Sequence, residues 1–182
     1  MNYLSADNIA KSFGDNWLLK NVTIGLSRGD KMALIGAEGT GKTTLMTILA
    51  GITPTDEGNI SIRKDIRVGH LDQAPDFDPE LPVMQVLFSG NNPVAEIVKQ
   101  YEHAIPAADD EKLMATLERM DAVQAWDFEA RAKEILGKLG IHDVDVKVGT
   151  LSGGQRKRVA LAKILIETPD LLILDSRPTT WI

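Results

Sequence analysis

At 182 residues, with 43% hydrophobic and 25% charged residues, the chain is long enough for one domain with a real core and is ordinary in composition for a globular protein. The net charge of −6 disfavours broad nucleic-acid binding, and the absence of cysteine excludes disulfides and thiolate metal sites while fitting a reducing cytoplasm. No apolar run reaches the ~20 residues of a membrane-spanning helix. Lys163 interrupts the one over 159–166, and Met1-Asn2-Tyr3-Leu4-Ser5 lacks the basic start and apolar stretch of a secretory signal.

Over residues 1–75, short β-type runs alternate with glycine turns. Val22-Thr23-Ile24, Lys31-Met32-Ala33-Leu34-Ile35, Asn59-Ile60-Ser61-Ile62 and Ile66-Arg67-Val68 are predicted strands, and the apolar stretch 45–49 is a predicted helix. This is the grammar of a nucleotide-binding α/β domain. Between the second strand and that helix stands Gly36-Ala37-Glu38-Gly39-Thr40-Gly41-Lys42-Thr43, followed by Thr44, a P-loop pattern in the strand-loop-helix context it requires. The glycines let backbone N–H groups curl around phosphate oxygens with no Cβ in the way. Lys42 supplies charge to the β- and γ-phosphates, and the Thr43 hydroxyl can hold Mg²⁺.

The pattern turns helical over 82–140. Asn92 with Pro93 reads as an N-cap and a first-turn proline, after which Val94, Ile97, Val98 and Tyr101 recur at helical spacing. A second helix carries Leu113, Leu117, Met120 and Val123, and Asp109-Asp110-Glu111 reads as its solvated start, favoured by the macrodipole. From Lys147 the chain returns to loop, helix and strand. The strand Leu171–Leu174 is apolar throughout, which suits burial on both faces, and delivers the carboxylate of Asp175 at its end.

Leu151-Ser152-Gly153-Gly154-Gln155, followed by Arg156-Lys157-Arg158 and the helical stretch 159–166, resembles the signature motif of ABC-type ATPases. With the P-loop, that resemblance runs to Asp175. Physically the motif is a second phosphate grip, a serine hydroxyl and glycine N–H groups at a helix N-terminus. The resemblance implies an α/β fold, a P-loop NTPase core with an antiparallel β subdomain and a helical insertion, that binds ATP and Mg²⁺ and hydrolyses ATP to ADP and phosphate. It also implies a second ABC domain, because in family dimers the signature closes over the γ-phosphate held by the partner's P-loop. The implied layout is a single partial domain: a β-rich core over 1–81, a helical insertion over 82–145, the signature helix and last strand over 146–175, and a tail over 176–182.

Lesser positions follow the same resemblance. Phe13, in Ser12-Phe13-Gly14, falls where the family stacks an aromatic ring on adenine; a core aromatic is the alternative. Gln73 matches the glutamine that contacts Mg²⁺ and the attacking water, with an ordinary loop glutamine as the alternative. Asp175 can organise Mg²⁺ through water, so the implied metal set is Thr43, Gln73 and Asp175. His70, His103 and His142 all precede the signature, so none is the family's switch histidine, and surface or satisfied core positions are expected for them.

Lys31 to Gly36, Ile66-Arg67-Val68-Gly69 and the stretch 155–165 resemble the ABC-F branch, whose members pair two ABC domains in one chain and often act on ribosomes, with no direct insertion into the membrane. A transporter subunit, a non-hydrolysing ATP-binding protein and a non-functional pseudogene fragment are the alternatives. ABC-F sequences continue the last strand as LDEPTNHLDI, where the glutamate polarises the attacking water. Here Ser176 holds that position and carries no carboxylate. Removing one base from a coding string for that motif (GAT GAG CCG ACC AAC CAC CTG GAT ATA GAT, less the G that opens GAG) yields Asp-Ser-Arg-Pro-Thr-Thr-Trp-Ile and a stop, which is the tail as it stands. The expectation is therefore out-of-frame ABC-F sequence over 176–182 and missing C-terminal strands, with a divergent tail as the alternative. In related P-loop ATPases the strand that follows inserts between the Asp175-type strand and the P-loop strand, so the same expectation includes an incomplete sheet and self-association.

Overall fold

The computed structural model describes residues 1–89, 93–107, 110–123 and 125–175. The chain divides into two compact units, one made of residues 1–73 with the chain from 168 onward, the other of residues 74–167.

The first unit opens with a hairpin of β1 (Asn2–Phe13) and β2 (Asn16–Ser27), to which β3 (Glu57–Ile62) adds on the other side of β1. Both pairings are antiparallel. The two-residue link Gly14-Asp15 turns the hairpin, with Gly14 at φ 59°. In β1, Leu4 and Ala6 are buried at period two, and then the phase slips to Ile9 and Ala10. The cause is a bulge at Asn8, whose φ is 51° and across which both ladders shift register. That irregular alternation hides β1 from a period-two reading of the sequence.

Leu4, Ala6 and Ile9 pack with Leu45, Ile48 and Leu49 of α1 (Lys42–Leu49) and with Ile173 of β5 (Leu171–Leu174). β5 pairs in parallel with β4 (Val68–Leu71), so the strand predicted over 66–68 lies two residues further on. Asp170 secures the entry to this pair, its carboxylate accepting from the Arg67 N–H at 2.9 Å.

Two expectations for this sheet need correction. The predicted strand Lys31-Met32-Ala33-Leu34-Ile35 is not a strand: these residues have no ladder, and Ile35 is 95% exposed. A parallel strand exists only through hydrogen bonds to its neighbours, and among the described residues none lies beside this run. For the same reason β5 is not buried on both faces. Only Ile173 is buried, whereas Leu171, Leu172 and Leu174 are half-buried.

The second unit is helical. α2 (Val83–Leu87), α5 (Phe128–Lys138) and α6 (Gly153–Ile166) share a core in which Val86, Leu87, Ala132, Leu136, Val159 and Ala162 are fully buried. Ile97 of α3 (Pro93–Ala107), Met120 of α4 (Asp110–Ala122) and Ala125 of the 3-10 turn Ala125–Asp127 form a smaller cluster, closed by the edge-on contact of Tyr101 with Trp126 at 5.3 Å. Pro93 opens α3 as expected; Asn92, its predicted cap, and Asp109 lie outside the described residues. Val123 falls just beyond α4, and α2 and α5 are helices that the sequence reading did not single out.

Candidate functional site

The P-loop residues run directly into α1. Gly39 and Gly41 have φ of 78° and 86°, left-handed values that a side chain rarely adopts. A Cβ at Gly36 would sit 3.0 Å from the Thr40 Oγ1, and one at Gly41 would sit 2.8 Å from Cγ of Leu18, so the tip of the β1–β2 hairpin presses against the end of the loop. The first helical bond runs from the Leu45 N–H to the Gly41 carbonyl at 2.8 Å. The N–H groups of the first turn, at Lys42, Thr43 and Thr44, are left without intrahelical partners, as at any helix start. Inside the loop, Thr40 Oγ1 donates to the Ala37 carbonyl at 2.9 Å, and Lys42 Nζ donates to the carbonyls of Gly36 and Ala37 at 2.8 and 2.5 Å. The ammonium is thus folded back over the loop, amid N–H groups and a helix N-terminus, an arrangement that attracts phosphate. Glu38 and the Thr43 side chain are exposed.

Asp175 follows β5 and extends its ladder, donating its N–H to the Leu71 carbonyl at 2.9 Å. Its residue is 8% exposed, and its Oδ2 is buried with no partner among the described residues. Alternate residues of a parallel pair share a face, so Asp175 emerges on the side of Ile173, which packs on α1. His70, opposite Ile173, lies on that same face, and its Nε2 is also buried without a partner. His70 is therefore half-buried rather than at the surface, and not fully satisfied, contrary to expectation: the strand pairing places its Nε2 where no acceptor or donor among the described residues reaches it. His103 and His142 are exposed, as expected.

In the other unit, the signature residues build the start of α6. Leu151 is half-buried, while Ser152, Gly153 and Gly154 are exposed. Ser152 Oγ accepts from the Gln155 N–H at 3.2 Å, and Gln155 Oε1 accepts from the Ser152 N–H at 2.9 Å, a complete capping box. The cap uses Ser152 as an acceptor and leaves its O–H proton to donate. Arg158 is structural rather than ligand-facing: it donates to the Leu139 carbonyl at 2.9 Å, at the end of α5 where Gly140 turns the chain at φ 71°.

The remaining candidates are at the surface. Phe13 is 61% exposed, which excludes the core-aromatic alternative and leaves its ring open to a ligand. Gln73 is exposed just beyond β4, and residues 176–182, including Ser176, lie outside the described residues. Sequence reasoning placed His70 among surface or satisfied histidines and missed the Leu18 buttress of Gly41. Both depend on tertiary contacts, the pairing of His70 with Ile173 and the approach of Leu18 to Gly41, which leave no local signal.

Residues 19–179 match the family model described as ABC transporter. The chain is 38% identical to an uncharacterized ABC transporter ATP-binding protein, YfmR, of Bacillus subtilis, over 96% of this chain and 29% of that protein. It is 35% identical to the energy-dependent translational throttle protein EttA of Escherichia coli K12, over 87% of this chain and 30% of that one. The chain thus spans less than a third of these two relatives. Among solved structures it resembles a nucleotide-free ATP-binding cassette from an ABC transporter, with TM-score 0.65, 28% identity, and 96% and 69% of the two chains covered. A cassette in its ADP conformation matches with TM-score 0.63 and 27% identity, covering 94% of this chain and 67% of that one. P-loop, signature motif, family match and fold agree: the chain belongs to the ATP-binding cassette family of ABC ATPases.

Proposed function

We propose that this chain is the ATP-binding domain of an ABC-F type ATPase of the cytoplasm, whose parent activity couples ATP hydrolysis to conformational change on the ribosome. The observation that carries the nucleotide reading is the loop ending at Gly41, with Lys42 Nζ folded over it and the first-turn N–H groups of α1 free of helical partners. In this reading the backbone of residues 36–44 holds the phosphates, Lys42 exchanges its two carbonyl partners for phosphate oxygens, and the exposed ring of Phe13 stacks on the base.

The donor set fits Mg²⁺. Asp175 Oδ2 is a buried carboxylate oxygen without a partner, and the Thr43 side chain is exposed beside Lys42. Among the described residues no cluster of three or more His, Asp or Glu could hold a metal. Mg²⁺ does not need one, since it takes most of its ligands from phosphate and water. Thr43, Gln73 and Asp175 would hold the ion, which when bound neutralises charge on the β- and γ-phosphates.

The signature end of α6 serves a nucleotide held by a second ABC domain, to which Ser152 offers its O–H and Gly153 and Gly154 their N–H groups. At position 176 the resemblance calls for a glutamate that polarises water, and Ser176 supplies no base. The chain is therefore expected to bind ATP with slow turnover at most. The ABC-F branch is supported by the wording of residues 155–165 and by the similarity to EttA, whose name states a role in translation. A second reading, the ATPase subunit of a transporter, is supported by the name of YfmR. Co-sedimentation with ribosomes favours the first; co-purification with a membrane protein favours the second.

Isothermal titration with Mg-ATP tests the core of the proposal. The protein should show saturable binding, and Lys42→Ala should weaken it by at least tenfold through loss of the phosphate-paired charge. Equal affinity in the two proteins would sink the site assignment.

A further inference from the structure

β1 is paired on both sides only as far as Ala10. Its last partner in β3 is Glu57, opposite Ala10, whereas its ladder with β2 runs on through Ser12 with Trp17 to Phe13 with Asn16. The end of the strand that carries Phe13 therefore has one side without a ladder. Its register with β2 is irregular there as well: Lys11 stands opposite Leu19 and Ser12 opposite Trp17, so that Leu18, the residue that meets Gly41 of the P-loop, is skipped. Packing does little to fix the Phe13 ring, which is 61% exposed, so its direction is set by the backbone beneath it.

Asp56, the residue before β3, holds that backbone from the side where the ladder has ended. Alternate residues of a strand turn their N–H and C=O groups to the same neighbour. The Ala10 carbonyl accepts from the Asp56 N–H at 3.0 Å and from the Thr55 hydroxyl at 2.8 Å, so the Ser12 N–H, two residues on, points to the β3 side too. There it meets a carboxylate in place of a strand carbonyl. Asp56 Oδ2 accepts from the Ser12 N–H and from the Ser12 hydroxyl, both at 2.8 Å, and Oδ1 accepts from Lys11 Nζ at 2.6 Å. We propose that Asp56 is a positioning residue for the nucleotide base: by gripping Lys11 and Ser12 it sets the direction of the Phe13 ring without touching the ligand. Stacking favours particular offsets and tilts, and a ring already held in place loses less freedom when the base arrives. The inference rests on the reading of Phe13 as the ring that stacks on the base.

The test is isothermal titration with two probes, Mg-ATP and Mg-tripolyphosphate, the second having the phosphate chain but no base. Asp56→Ala should weaken Mg-ATP about threefold to tenfold, the effect of having to order one side chain on binding. It should leave tripolyphosphate affinity unchanged, which also shows that the P-loop is folded in the variant. Asp56→Asn keeps one carbonyl oxygen to accept from Ser12 and should fall between the two proteins. Phe13→Ala should lose at least as much affinity for Mg-ATP as Asp56→Ala, and adding Asp56→Ala to it should cost nothing further, because the carboxylate acts through the ring. Unchanged Mg-ATP affinity in Asp56→Ala would overturn the inference. So would an equal loss for both probes, which marks a general role in the fold, or an undiminished loss in the Phe13→Ala background. Failure of the stacking reading itself looks different: Phe13→Ala would then bind Mg-ATP as the parent does, and the inference would fall with it.

Discussion

Asp56 shows how much one exposed carboxylate can organise. It accepts from Lys11 Nζ at 2.6 Å and from both the N–H and the hydroxyl of Ser12 at 2.8 Å, while its own N–H donates to the Ala10 carbonyl at 3.0 Å. The loop before β3 is thereby stapled to the end of β1, next to Phe13. The Lys11 hydrogen bond, followed by the two from Ser12, lowers the Asp56 pKa from 3.8 to about 2. A carboxylate depressed on folding contributes stability that is fully present above its unfolded value and is lost as pH falls through the folded one. The contribution should therefore be constant from neutrality down to pH ~4 and disappear between there and pH ~2. Asp56→Asn should remove that dependence: its melting temperature should lie below that of the parent at pH 6 and approach it near pH 2. Parallel melting curves across this range would show that the staple does not couple to stability. Gly58 marks the neighbouring constraint, for a Cβ there would lie 2.5 Å from the carbonyl oxygens of Asp7 and Asn8, beside the β1 bulge.

Elements whose cause is local were legible, and elements whose cause is tertiary were not. The glycines of the P-loop and the Ser152/Gln155 box are turn and cap chemistry, fixed by residues close in sequence, and their helices begin directly after these motifs, at Lys42 and Gly153, earlier than the stretches 45–49 and 159–166 that announced them. The run 31–35 has strand composition but no ladder among the described residues, so composition misleads. β1 was obscured by the phase slip at Asn8, and α2 is only five residues long, too short to display a helical period. α5 hides behind Ala132, a small residue that marks the buried face as weakly as it would mark an exposed one. The signature helix offers a quantitative check on the local cause. Ser152→Ala removes the side-chain acceptor for the Gln155 N–H and should cost about 1 kcal/mol, read as a lower urea midpoint. Ser152→Thr keeps the acceptor and should recover most of the loss. If Ser152→Ala leaves the midpoint unchanged, the box holds no helix and its residues are free for ligand contacts alone.

At the scale of the whole molecule, the described residues of the two units are unequally packed. The helical unit surrounds Leu136 with buried residues from three helices, including Val86, Leu87 and Val159, each at 0% exposure. The unit containing the P-loop buries Ile48 completely but, among the described residues, has a cavity of about 620 Å³ beside β5 and exposes Met32 and Ile35 while Leu34 packs on its core. Replacing a fully buried leucine by alanine costs about 2–5 kcal/mol, the larger values arising where the surroundings cannot collapse into the space. Leu136 is fully buried in a core it shares with Ala132 one turn before it and with residues of α2 and α6, so Leu136→Ala belongs at the upper end, about 4 kcal/mol. Domain stabilities are about 5–15 kcal/mol, which makes this a large fraction of what holds the helical unit together. The urea midpoint followed through circular dichroism at 222 nm, dominated by the helices, should drop sharply, with the slope of the transition preserved. A loss below about 1 kcal/mol would mean that the helices repack around the smaller side chain, and that the dense core around Leu136 is not what fixes α5 against α6.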